Sequence, residues 1–288
     1  MNVPTKNYPV AVPLAAVSVA MVCFQLGAAL AKGLFPLVGA DGAASLRLSI
    51  AAVILLVAWR PWHLRFTRQQ MLGVAIYGIS MGWMNLFFYL ALSYIPLGIT
   101  MALEFTGPLG IALFASRRPI DFLWILLAVL GLLALLPLGL GGSSLSIIGV
   151  LYALAAGGCW ALYILFGRQA GASHGGQITA LGTVIGAIVV VPFGLAHSGT
   201  QLFSPDLLPM ALGVAVLSSA LPYSLEMFAM QRIAARTFGV LMSLNPALGA
   251  LAGLAFLGES LSLIQWAAVG CIVVASAGSA ATRELVPE

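Results

Sequence analysis

The chain has 288 residues, of which 61% belong to the set AVILMFWYC and only 7% are Asp, Glu, Lys or Arg. A soluble domain needs about a quarter of its residues charged to cover its surface, so an ordinary cytosolic enzyme and a disordered chain are both excluded. The net charge of +4 rests on 12 Lys and Arg residues, too few to track a phosphate backbone, which removes nucleic acid as a partner.

A mean hydropathy of +1.08 makes the lipid bilayer the expected surroundings, and a spanning helix takes about 20 mostly apolar residues. Ten such segments follow in chain order. The first, about 10–31, follows Lys6 and carries Gln25. It exceeds a signal-peptide core, and Lys32 with Phe35-Pro36-Leu37 stands where a small-residue cleavage site would be, so a retained helix is expected. The second, about 41–59, contains Arg47; the third, about 69–92, contains Asn85 and Tyr89. The fourth, about 97–115, holds Met101, Glu104 and Pro108, and the fifth runs over about 121–138. The sixth, about 145–167, carries Trp160 and Tyr163, and the seventh covers about 177–196. The eighth, about 207–230, holds Tyr223 and Glu226; the ninth, about 236–256, holds Asn245 and Pro246; the tenth covers about 262–281. The expected fold class is an all-α integral membrane protein of ten transmembrane helices with short links and no soluble domain.

Cations orient these spans, because Lys and Arg collect on the cytoplasmic side. With the N-terminus inside, Lys6, Arg60, Arg65, Arg68, Arg117, Arg118, Arg168, Arg232, Arg236 and Arg283 all fall on the cytoplasmic face, and Lys32 alone lands outside. Both termini are therefore expected in the cytoplasm.

The chain also repeats itself. At one constant offset Ala91, Ile95 and Pro108 meet Ala229, Ile233 and Pro246, and at a slightly smaller one Cys23-Phe24 meets Cys159-Trp160 and Lys32 meets Arg168. Each copy then holds five spans. An odd number forces the second copy into the membrane from the opposite side, which is the inverted repeat of alternating-access carriers. The expected division is a first repeat over 1–138, a second over 145–281 and a short cytoplasmic tail at 282–288.

The residues that carry a family resemblance are Gly27-Ala28-Ala29-Leu30-Ala31-Lys32-Gly33-Leu34-Phe35-Pro36, then Leu103-Glu104-Phe105-Thr106-Gly107-Pro108 and Ser116-Arg117-Arg118-Pro119. Ala220-Leu221-Pro222-Tyr223-Ser224-Leu225-Glu226 and Arg236-Thr237-Phe238-Gly239 extend it. Over about 10–281 the chain resembles the EamA type of the drug/metabolite transporter superfamily, and within it the bacterial inner-membrane exporters of threonine and homoserine. The resemblance implies the ten-helix EamA fold and secondary export of small neutral amino acids. A broader range that includes aromatic amino acids is the alternative. One departure is informative: small multidrug exporters of the superfamily carry an acidic residue in the first span, and residues 10–31 contain no Asp or Glu.

Charges within spans are costly and mark function. Arg47 and Glu104 lie about 9 Å and about 10 Å below the same face at about 1.5 Å per residue. Two readings follow: Glu104 accepts a substrate ammonium or a coupling proton, or it forms a buried ion pair with Arg47 that locks the second and fourth helices. Glu226, near the inner end of its span, is read as an interfacial ion pair or a gate. Gln25, Asn85 and Asn245 offer amides to a zwitterion. Pro108 and Pro246 each remove a backbone hydrogen bond at matching positions, and broken helices of that kind point to a binding site. Met101, Tyr89, Trp160, Tyr163 and Tyr223 are candidates to line it. Asp41, Asp206 and Glu259 fall at ends or links and are expected to be solvated. His63, His174 and His197 lack metal-ligand spacing, Cys23, Cys159 and Cys271 lie singly in apolar spans, and no phosphate-binding Gly-Lys-Ser/Thr motif occurs. No metal or other cofactor is expected and the chain is not read as an enzyme; its expected partners are an amino-acid substrate and the bilayer, with transport driven either by the substrate gradient or by a coupled ion such as a proton.

Overall fold

The structure, a computed structural model, describes residues 9, 11–63, 67–114, 120–135, 145–171, 175–230, 232–233 and 235–282. Lys6, Arg65, Arg117, Arg118, His174, Arg283 and the tail beyond Thr282 lie outside them, as do the side chains of Arg168 and Arg236.

The described residues form helices and no strand: α1 (Ala11–Lys32), α2 (Phe35–Trp59), α3 (Arg68–Leu92), α4 (Leu97–Phe114), α5 (Asp121–Leu135), α6 (Ile147–Gly171), α7 (Gly175–Ser198), α8 (Leu208–Ala215), α9 (Leu221–Met230), α10 (Ala235–Met242), α11 (Asn245–Leu257) and α12 (Leu263–Thr282). Among the described residues seven helical stretches are long and apolar enough to cross a membrane, and Leu97–Ile111, Phe122–Ala134 and Leu263–Ser279 are shorter apolar helices. The outer surface agrees with lipid: Phe122, Leu263 and Phe256 are among the large apolar side chains turned outward.

Local chemistry sets several helix ends. Capping boxes open α3 and α12. The Thr67 hydroxyl accepts from the Gln70 N–H at 3.3 Å while Gln70 Oε1 accepts from the Thr67 N–H at 2.9 Å, and Ser262 with Gln265 repeats the exchange at 3.3 and 2.9 Å. α11 ends on Gly258 at φ 65°, a left-handed position that favours glycine.

Helix pairing positions the interior. α2 packs on α7, α3 on α6 and α7, α4 on α6 and α11, α5 on α12, and α1 on α8, α9 and α11. Lipid supplies no hydrophobic drive between helices, so close approach through small residues does the work. A Cβ on Gly98 would strike the Ala250 backbone, and one on Gly107 would strike the Gly157 carbonyl.

Three features depart from the expected spans. α2 begins at Phe35 rather than about 41, because two helical pieces are joined at Gly39, whose φ 66° and ψ 174° are open only to glycine. The eighth segment is interrupted between α8 and α9 by a π-helical stretch, Val216–Ala220. The proline pair is unequal: Pro246 opens α11 just after a break at 243–244, whereas Pro108 sits inside an unbroken α4. The expectation of two helices broken at matching prolines is therefore corrected to one.

Candidate functional site

Pro108 still changes its helix chemically. Having no N–H, it leaves the Glu104 carbonyl four residues earlier without its helical donor. α6 closes over that point: a Cβ on Gly157 would lie 2.6 Å from the Glu104 carbonyl oxygen. The crossing of α4 and α6 thus holds Glu104 against backbone on one side. Its side chain is buried, 4% exposed, and no described residue gives its carboxylate a hydrogen bond or an ion pair.

Arg47, on α2, follows a similar logic. Pro222 takes a backbone donor away just beyond the π-helical stretch that holds Ser218. Arg47 supplies donors there: its Nη2 donates to the Ser218 carbonyl at 2.6 Å and its Nε to Ser219 Oγ at 2.9 Å. The guanidinium also lies 5.3 Å from the ring centroids of both Phe24 and Tyr89. Gly27 permits this arrangement, since a Cβ there would sit 2.6 Å from Ser218 Cβ. The buried Arg47–Glu104 ion pair expected as one reading is therefore absent; the two charges remain within electrostatic reach without touching.

Gln25 joins α1 to α11, donating from Nε2 to the Asn245 carbonyl at 3.2 Å and to Asn245 Oδ1 at 3.3 Å. Its Oε1 is buried with no hydrogen-bond partner, as is the Tyr89 hydroxyl. Met101 lies beside Gln25 Oε1 across Gly249, where a Cβ would be 2.9 Å from Met101 Cγ and 3.3 Å from Gln25 Oε1. Gln25, Arg47, Tyr89, Met101, Glu104 and Asn245 are thus gathered from five helices toward one interior region. Trp160 packs edge-on to Phe105 at 5.3 Å, the next residue to Glu104.

The remaining candidates form a neighbouring group. Asn85 donates to the Met81 carbonyl of its own helix at 2.8 Å, and the Tyr223 hydroxyl lies near the Asn85 amide and within electrostatic reach of Arg47, Glu104 and Glu226. Tyr163 stacks on Tyr77 at 4.7 Å. Glu226 is half-buried and makes no ion pair with a described residue, so its expected interfacial pair is absent among them.

Sequence reasoning missed a second polar cluster, at the end of the bundle that holds Lys32. Glu259, expected to be solvated, has a side chain only 13% exposed and pairs with Lys32 at 2.5 Å. Its Oε2 accepts from the Leu97 N–H at 2.8 Å, an otherwise orphaned donor at the start of α4. Glycine again makes the socket, because a Cβ on Gly253 would collide with Glu259 Oε2. Both charges suit their helix ends, an anion at an N-terminus and a cation at a C-terminus. Beside this pair opens a cavity of about 480 Å³ lined by Lys32, Phe35, Asp41, Ser93, Tyr94 and His197 among others. In it His197 Nδ1 faces Asp41 Oδ2 at 3.6 Å.

Known proteins resemble the chain as follows. Residues 147–280 match the model of the EamA-like transporter family. A threonine/homoserine exporter RhtA of Salmonella typhimurium strain SL1344 is 52% identical over 284 residues, 99% of this chain and 96% of that protein. The threonine/homoserine exporter RhtA of Escherichia coli K12 is 52% identical over 277 residues, covering 96% and 94% respectively. One crystal structure superposes with a TM-score of 0.59 at 19% identity, covering 94% of this chain and 97% of the other, a likeness of fold.

Proposed function

The chain belongs to the EamA-like transporter family, and from that membership we propose that it exports small neutral amino acids, L-threonine and homoserine foremost, across a bacterial inner membrane by alternating access. The observation that carries the reading is the 52% identity, nearly end to end, with exporters of those two substrates. It is a multi-pass membrane protein and a transporter rather than an enzyme.

We read the helices as ten spans in two inverted sets of five, over 1–138 and 145–281, with α8–α9 and α10–α11 each counted as one interrupted span. The packing supports this: α2 with α7, α4 with α11 and α5 with α12 are pairings between equivalent members of the two sets. The cation count supports cytoplasmic termini, which puts Lys32 and Glu259 at the periplasmic mouth. Between the two sets, Glu104 accepts the substrate ammonium, and Gln25 and Asn245 close the polar region from the side of α1 and α11. Cells that overproduce the chain and are loaded with labelled L-threonine should release it faster than control cells. Equal release would contradict the proposal.

On the same reading the Lys32–Glu259 pair keeps the periplasmic mouth shut, because it ties the end of α1 to the loop that follows α11 and to the start of α4. A partly exposed ion pair contributes about 1 kcal/mol, and removing that much shifts a two-state population about fivefold. With the native cysteines replaced and a cysteine placed at Thr100, which is buried one turn into α4 from the Leu97 N–H that Glu259 holds, Glu259→Gln should raise labelling by an impermeant thiol reagent by about that factor. An unchanged labelling rate would show that the pair does not gate the mouth.

A further inference from the structure

Glu104 lies on α4, Arg47 on α2, Tyr89 on α3 and Gln25 on α1, and these side chains are all at least nine-tenths buried. Each keeps hydrogen-bonding capacity that no described residue uses. Gln25 Oε1 and the Tyr89 hydroxyl have no partner, the Glu104 carboxylate has none, and of the Arg47 nitrogens only Nε and Nη2 are engaged. Two opposite charges in a low-dielectric interior attract strongly, yet these stay apart. Arg47 is held by Ser218, Ser219 and the faces of Phe24 and Tyr89, and the backbone of α4 at Glu104 is fixed by its contact with Gly157.

We propose that Arg47 and Glu104 are the two poles of a clamp for the backbone of a free α-amino acid, with Arg47 and the Tyr89 hydroxyl taking the carboxylate and Glu104 and Gln25 Oε1 taking the ammonium. This deepens the exporter reading and rests on it for the substrate class. A zwitterion satisfies both poles at once and adds no net charge to the interior. A molecule bearing only one of the two charges leaves the opposite pole buried and unpaired, which is the arrangement that binding sites reject most strongly. The clamp selects the headgroup, while the side chain meets Met101 and the Phe105–Trp160 pair, surfaces that adapt through the flexible thioether. Threonine and homoserine are isomers that differ in where one hydroxyl sits, so a site that reads the headgroup accepts both.

The test is ligand-induced thermal stabilisation of the purified full-length protein by L-threonine, L-homoserine, L-threonine amide and N-acetyl-L-threonine, run beside threonine counterflow in proteoliposomes. The clamp predicts that both zwitterions stabilise the protein and that the amide and the N-acetyl derivative need at least about tenfold higher concentrations. Arg47→Gln should weaken threonine but not the amide, so that the ratio between them collapses, a change that general damage to the fold would not produce. Tyr89→Phe, which removes a hydroxyl without a partner, should move the ratio the same way and serves if the Arg47 variant does not accumulate. Amide or N-acetyl binding as tight as threonine, no stabilisation by any of the four, or an unchanged ratio in the variants would overturn the clamp. Headgroup selectivity without counterflow would uphold the clamp and refute export of threonine, and counterflow without selectivity would do the reverse.

Discussion

Replacing Glu104 by Gln should reduce threonine export about a hundredfold while the protein still accumulates in the membrane. The amide has nearly the shape of the carboxylate, and no described residue bonds to that carboxylate, so the substitution breaks no hydrogen bond or ion pair among the described residues. What it removes is the charge that faces the substrate ammonium. Truncating one member of a buried, hydrogen-bonded charge pair costs about 2–5 kcal/mol, and about 2.8 kcal/mol corresponds to a hundredfold change in affinity. Without substrate the sign reverses. An unpaired buried carboxylate is a burden on the fold, so Glu104→Gln should unfold at the same or a higher temperature than the native chain. Transport assays paired with thermal unfolding check both halves. An unchanged rate would remove Glu104 from the site, and failure to accumulate would make it a structural residue.

Among the described glycines, Gly107→Ala should have the largest effect on stability. A Cβ at Gly107 would overlap the Gly157 carbonyl, which is backbone and cannot rotate away. The two helices must then separate where α4 carries Glu104, three residues before the substitution. Overpacking costs about 1–3 kcal/mol and more when backbone must move, so about 3 kcal/mol is expected here. Gly110 provides the control. It lies one turn further along the same helix, and a Cβ there would meet nothing within 4 Å. Ala in place of a helical Gly is favourable by about 1 kcal/mol, so Gly110→Ala should be neutral or stabilising. Thermal unfolding of the two variants in the same detergent tests the contrast, and equal behaviour would show that the α4–α6 contact does not set the fold.

The helices were legible because lipid imposes a simple rule, that twenty or so apolar residues run between polar links, and α1, α3, α4 and α7 fall close to their expected segments. What the rule misses is backbone left unsatisfied by proline. Pro222 removes a donor beside the π-helical stretch, and Arg47 bonds the Ser218 carbonyl there from another helix. The sequence offered Ser218, Ser219 and Pro222 together within an apolar span, a cue that a buried arginine could find its partners there rather than at Glu104. Pro108 was read as a break, yet one missing donor did not interrupt α4. Glu259 was misplaced for a related reason: its position in a link suggested solvent, whereas the Leu97 N–H, Lys32 and the bare Gly253 turn it inward. Gln25, Glu104 and Asn245 stand out in the sequence because amides and a carboxylate in apolar spans need a reason to be there, and all three are buried.

Counterflow tests most directly whether this chain carries threonine and homoserine by alternating access. Proteoliposomes of the purified chain, preloaded with unlabelled L-threonine, should take up labelled L-threonine transiently above its equilibrium level, and preloaded homoserine should drive the same overshoot. Uptake that only equilibrates, with no overshoot from either preload, would describe a channel and contradict carriage by alternating access.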